Sequence, residues 1–198
     1  REVFNLSSTT RVLATGSLAG EKFHHFNGLS NLAATAEAEL QYRGSPEFDE
    51  PTFGLFGRLS ALGFESSLRD GYRAAVGVSM QQPLTDRIGL FGALSRNYRH
   101  AKSDVFSTRD WSARVNVDYT LSDNGTLYLG TEFRRGDIVS TGRASLENVS
   151  IADVQVQDDA FPGGQFFSYR FEGRTVLATL GYNLALGNRD AIDFSWRH

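Results

Sequence analysis

Residues 110–133 read DWSARVNVDYTLSDNGTLYLGTEF, two alternating runs on either side of Ser-Asp-Asn-Gly. Trp111, Ala113, Val115, Val117, Tyr119 and Leu121 fall on one side of the first run. Ser112, Arg114, Asn116, Asp118 and Thr120 fall on the other. Successive strand side chains point to opposite faces, so the stretch predicts a β-hairpin with one apolar and one polar surface. Its register is constrained, because a slip by one residue would exchange the two surfaces. What covers the apolar surface, a protein core or lipid, decides the class of molecule.

Bulk composition leaves both answers open. Of the 198 residues, 40% are hydrophobic, and mean hydropathy is -0.30. No apolar run reaches the roughly 18 residues of a transmembrane helix. A membrane β-strand escapes that criterion, since only alternate residues need be apolar. The absence of cysteine excludes disulfides and thiolate-held metals. A net charge of -3 offers no basic field for nucleic acid. The chain opens at Arg1 with no initiator Met and no signal-peptide core, and is expected to be a mature or trimmed form.

Alternation recurs along the whole chain, in residues 12–18, 32–42, 72–81, 88–99 and 192–197. Residues 53–64 are apolar on both sides apart from Arg58 and Ser60, and 166–184 exceed the length of one span. The connections fall into two sets. Those at 82–86, 122–125 and 187–190 are short and rich in turn formers. Those at 19–28, 65–71, 100–110 and 139–165 are longer and polar. An up-and-down meander follows, forming a single domain over residues 1–198 with a weak N-terminal segment, 1–10, and its longest loop at 139–165. Within that loop, residues 154–156 read as a small hairpin strand. In 166–184 the apolar phase changes at Gly173, between Phe171 and Val176. A β-bulge there or an upper half projecting past the packed region accounts for it equally well.

An inward apolar face would crowd the interior of a small barrel, which side chains only just fill. An outward one meets no such limit. Trp111 and Tyr119, on a strand tilted by ~40°, would lie about 20 Å apart along the membrane normal, near the ~25 Å apolar band flanked by aromatic girdles. Tyr42, Tyr72, Tyr98, Tyr182 and Trp196 also lie on apolar faces near strand ends. Short turns at one end and long polar loops at the other resemble Gram-negative outer-membrane β-barrel proteins, a likeness of pattern over most of the chain. The resemblance implies an all-β, antiparallel, up-and-down transmembrane barrel of about 10 strands or more. It also implies a bacterial outer-membrane location, with outer-membrane lipid and lipopolysaccharide as partners. Such barrels usually have an even strand number and end on an aromatic residue. Here nine strands are readable and the chain ends at His198, so the barrel is expected to be incomplete at its C-terminus.

The expected lumen carries Glu37, Glu39, Arg58, Arg73, Arg99, Arg114, Asp118, Glu132, Arg134, Asp193 and Arg197. Arg114 and Asp118 should meet Glu132 and Arg134 across the hairpin. The two functional readings are a narrow passage for small polar solutes and a structural barrel acting through its loops. A soluble lipocalin-like or sandwich protein binding an apolar ligand stays open as an alternative, as does an outer-membrane lipid-modifying enzyme. No spacing marks a catalytic triad, a cofactor site or a metal site. His24-His25 would point apart in an extended chain and read as surface histidines. Asp158-Asp159 reads as a solvated acidic pair, in the loop expected to be the most exposed and mobile. Gly54, Gly57, Gly89, Gly92 and Gly130 follow no phosphate-loop spacing and read as sites of curvature or close packing.

Overall fold

The alternating runs become strands, and each pairs with its neighbour in sequence. The computed structural model describes residues 2–161, 163–187 and 190–198; Arg1, Pro162, Asn188 and Arg189 lie outside them, including the middle of the turn expected over 187–190. Eleven strands occur among the described residues: β1 (Glu2–Asn5), β2 (Thr10–Glu21), β3 (Asn31–Arg43), β4 (Thr52–Phe64), β5 (Gly71–Thr85), β6 (Ile88–Ala101), β7 (Thr108–Ser122), β8 (Gly125–Arg143), β9 (Val154–Gln157), β10 (Phe166–Ala185) and β11 (Ala191–Arg197). They form one antiparallel sheet in chain order, and β9 lies beside β10 as an added edge segment. Helix is confined to α1 (Leu146–Ile151) and three single turns.

Register carries the two faces across the sheet unbroken. Leu40 lies opposite Leu55, and Leu55 opposite Val78. Val78 in turn faces Leu94, and Val117 faces Leu129. Arg114 lies opposite Glu132 on the other side. The irregularities in these ladders fall at Pro83/Thr85 and Thr120/Ser122, beside the two-residue turns. Pro83, expected within a turn, ends a strand, where its missing N–H matters least.

The sheet is strongly curved. The connection between β2 and β3 is five inter-strand steps from β8, about 24 Å away on a flat sheet. Yet Phe26, from that connection, packs on Phe161, from the β9–β10 connection, with ring centroids 5.2 Å apart. A side chain on Gly28 would collide with the backbone of Ala160. The polar face is the concave one. The apolar face is convex and nothing in the chain covers it, so Trp111 is 58% exposed and Leu18 77%.

Closure differs from the expectation. β1 pairs only with Arg11–Ala14 of β2, and β11 pairs only with β10. No pairing joins β1 to β11 among the described residues, so the sheet stays open. The physical reason is ladder length, because strands of four and seven residues leave most of the adjoining edges free.

Gly173 does not sit in a bulge. It faces Gly136 in a β8–β10 ladder that runs without a shift from Phe166↔Arg143 to Leu184↔Gly125. Gly136 has φ +145°, and a Cβ there would meet the Arg109 carbonyl. The apolar phase therefore changes within an unshifted ladder: Phe167, Tyr169 and Phe171 fall on the row opposite Val176, Leu180 and Tyr182, and Ser168 and Tyr169 are buried. Replacing Gly136 with Ala should destabilise the fold by roughly 1–3 kcal/mol through the strained backbone and the clash. Gly57→Ala, where a Cβ meets nothing within 4 Å, is the control. Chemical unfolding of both variants checks this.

Candidate functional site

The concave face encloses a cavity of about 780 Å³, lined from β2 to β8. Alternation aims every second side chain into it. Glu37, Glu39, Arg58, Arg73, Arg99, Arg114, Glu132 and Arg134 all line it, together with Asp110. Glu37 and Arg58 form an ion pair on neighbouring strands. Glu132 accepts from Arg114 at 3.1 Å and also from Arg134. Ser79 donates to Glu39 at 2.8 Å. A ladder of neutral groups runs alongside. Ser95 and Ser112 lie 2.7 Å apart, and Asn97 donates to Asp110 at 2.7 Å. Alternation places Ser112 on the polar face; Ser95, Asn97 and Asp110, near the loop ends of their strands, join it there.

These groups are wet. Arg58, Arg114 and Arg134 side chains keep 52%, 51% and 49% of their surface exposed. Exposed pairs are screened by water and contribute at most about 1 kcal/mol each.

Three expected members lie elsewhere. Asp118 does not join Arg114, Glu132 and Arg134, because its register partner is Tyr128, farther toward the turn. Asp193 accepts from the Tyr128 hydroxyl at 2.9 and 3.0 Å. Arg197 lies on β11 opposite Thr179. The aromatic residues sit on the convex face. Tyr72, Tyr98 and Trp111 lie toward the loop end of their strands, and Tyr42, Tyr119 and Tyr182 toward the turn end. Trp196 faces Leu180, away from either rim. Arg96 stacks over Trp111 at 4.8 Å, and Tyr72 and Tyr98 rings lie 6.0 Å apart.

The longest connection departs most from expectation. It is shorter than 139–165, since β8 extends to Arg143. Its first half is exposed, with Leu146 of α1 open to solvent. Residues 154–156 form β9, as the small hairpin strand expected there. Its second half folds down onto the other long connections instead of standing free. Asp158, read as solvated, is fully buried. Its carboxylate accepts both Arg69 guanidinium nitrogens, Nη1 at 2.7 Å. It also accepts from the Ser168 hydroxyl at 2.6 Å and from the Ala160 N–H at 3.1 Å. The neighbouring Asp159 accepts from Ser66. Arg170 donates to the carbonyls of Asp104 and Ser107 at 2.6 and 2.7 Å. Arg69 stacks over Phe106 at 4.1 Å, beside a small core of Ala101, Val105 and Phe106. One segment thus ties together the connections after β2, β4 and β6 and covers the loop end of the cavity. Adjacent acids in a long polar segment carry no mark of this, because Arg69 is 89 residues away.

Burial alone would raise the Asp158 carboxyl. The hydrogen bonds from Arg69, Ser168 and Ala160 outweigh it and hold the carboxyl below its ordinary value. A depressed folded value stabilises the cover fully above the unfolded value, about pH 4, and is lost as pH falls through the lower folded value. The cover should hold at neutral pH and loosen only in stronger acid, read by proteolysis of residues 144–165 against pH. Asp158→Asn should open it at neutral pH, because removing one partner of a buried pair costs about 3–5 kcal/mol. Retained protease resistance in that variant would exclude the role given to the pair. No protein-family model, curated protein or solved structure matches this chain.

Proposed function

We propose that the chain is an outer-membrane β-barrel protein of the Gram-negative type, whose polar interior is a hydrated passage for small polar solutes. One observation carries the reading: the strands turn their polar face onto a water-accessible cavity and leave their apolar face uncovered. In water that convex surface would far exceed the few hundred Å² that monomeric proteins usually expose. In lipid it is the expected exterior. The two tyrosine-containing rows toward the strand ends fit interfacial belts, where an apolar ring and a polar tip are both accommodated. A lipocalin-like function fits less well, since its ligand needs an apolar interior. Lipid chemistry fits less well: Ser79 donates to Glu39 in the cavity, but no histidine is among the described residues that line it.

The reading requires the free edges to be satisfied in the membrane, where each unpaired backbone group costs several kcal/mol. Ten strands make up the main path of the sheet, so β1 and β11 run antiparallel and are able to pair. The passage is preferred to a purely structural barrel because the interior charges are half in water.

Refolded into lipid vesicles, the protein should float with them. Val117→Arg, on the convex face, should lower stability in lipid by about 2–4 kcal/mol if it lies at mid-membrane depth. A protein that stays with the aqueous fraction would end the membrane reading. In planar bilayers Glu132→Gln should alter ion selectivity, with stability changed by about 1 kcal/mol per lost pair. A large fall in melting temperature without current in either protein would instead establish the structural barrel.

A further inference from the structure

Charge inside the cavity is unevenly neutralised. Five arginines and four carboxylates line it. Glu37 is paired with Arg58, and Glu132 with both Arg114 and Arg134, whereas Glu39 and Asp110 are held by the neutral donors Ser79 and Asn97. Arg73 and Arg99 are left over. They are direct cross-strand partners on the concave face, with Ser60 opposite Arg73 and Thr108 opposite Arg99 on the outer flanks. Among the described residues neither guanidinium pairs with a carboxylate. Arg99 donates to the Arg69 carbonyl at 3.3 Å, and its Nε is buried without a partner. Its planar group also lies 5.7 Å from the Phe64 ring. Asp158 offers no relief, because Arg69 occupies its carboxylate.

Like charges directly opposite on one sheet face destabilise it. A fold that sets two arginines side by side, with hydroxyls as their direct partners on both flanks and the nearest acid, Asp110 one diagonal step from Arg99, taken up by Asn97, has a local excess of forked N–H donors. That donor set matches an oxyanion, which guanidinium groups bind bidentately. We infer that Arg73 and Arg99 form an anion-binding site inside the cavity, beneath the cover, for a small phosphate- or carboxylate-bearing solute. The inference rests on the reading of the cavity as a passage and names the class of solute it favours. The pair faces the cavity and not the convex surface, so the ligand is a free anion and not a lipid headgroup.

Inorganic phosphate is the probe. Its phosphorus NMR line should broaden on titration with the folded protein in detergent micelles, and broaden several-fold less with the double variant Arg73→Gln, Arg99→Gln. In bilayers the anion-to-cation permeability ratio should exceed one and fall several-fold in that variant. The melting temperature of the variant at low salt should be unchanged or higher, since a repulsion has been removed. Equal broadening in both proteins, or a lower melting temperature in the variant, would overturn the inference and assign the arginines a structural role. Phosphate binding without current would keep the site and end the passage. Cation-preferring current without phosphate binding would do the reverse. If the double variant fails to fold, Arg73→Gln alone decides, because Arg73 forms no ion pair to lose.

Discussion

Most long strands of this chain carry one apolar row and one polar row, and backbone hydrogen bonds to both neighbours keep those rows in register. The rest of the structure depends on that register. A single-residue slip between any two strands would bring Val or Leu into the cavity and Arg or Glu onto the convex surface. Unbroken ladders such as the one from Phe166↔Arg143 to Leu184↔Gly125 prevent it. Curvature then gives the two rows different surroundings. The concave row is crowded enough for cross-strand pairs such as Arg114 and Glu132. The convex row diverges, and no other element among the described residues packs over it.

Rigidity in this molecule comes from an unusual place. The strands do not enclose an apolar core, and the small one at Ala101, Val105 and Phe106 lies among the loops. There Arg69 and Asp158 meet out of water, with Phe106 beneath the guanidinium. A buried ion pair holds only when its remaining hydrogen-bonding groups are satisfied. Ser168 and the Ala160 N–H supply that here. The contrast with the cavity is physical. Arg58, Arg114 and Arg134 of the wall keep about half their surface in water, whereas the dry pair fixes the position of an entire connection.

Electrostatics in the cavity therefore contributes less to stability than the buried pair does. Arg58, Arg114 and Arg134 find acidic partners, and Arg73 and Arg99 do not. A hydrated cavity tolerates that imbalance, because solvent and mobile ions screen it. The same imbalance in a dry core would be severely destabilising.

Much of the architecture was legible in the sequence, because a strand's two-residue period writes both of its faces into neighbouring letters. The hairpin around Asp123-Asn124, the even-numbered apolar row of residues 32–42 and the meander order followed from that alone. So did the placement of Glu37, Arg58, Arg114, Glu132 and Arg134 on one face. Tertiary structure decided what period cannot encode. Register set Asp118 opposite Tyr128, away from its expected partners, while Ser95, Asn97 and Asp110 join the wall. Folding of the longest connection turned Asp158 from a surface acid into the most deeply held carboxylate. The free edges of β1 and β11 likewise reflect strand lengths in three dimensions. Local alternation is a property of adjacent residues, whereas closure, cover and pairing over 89 residues depend on how the whole sheet bends.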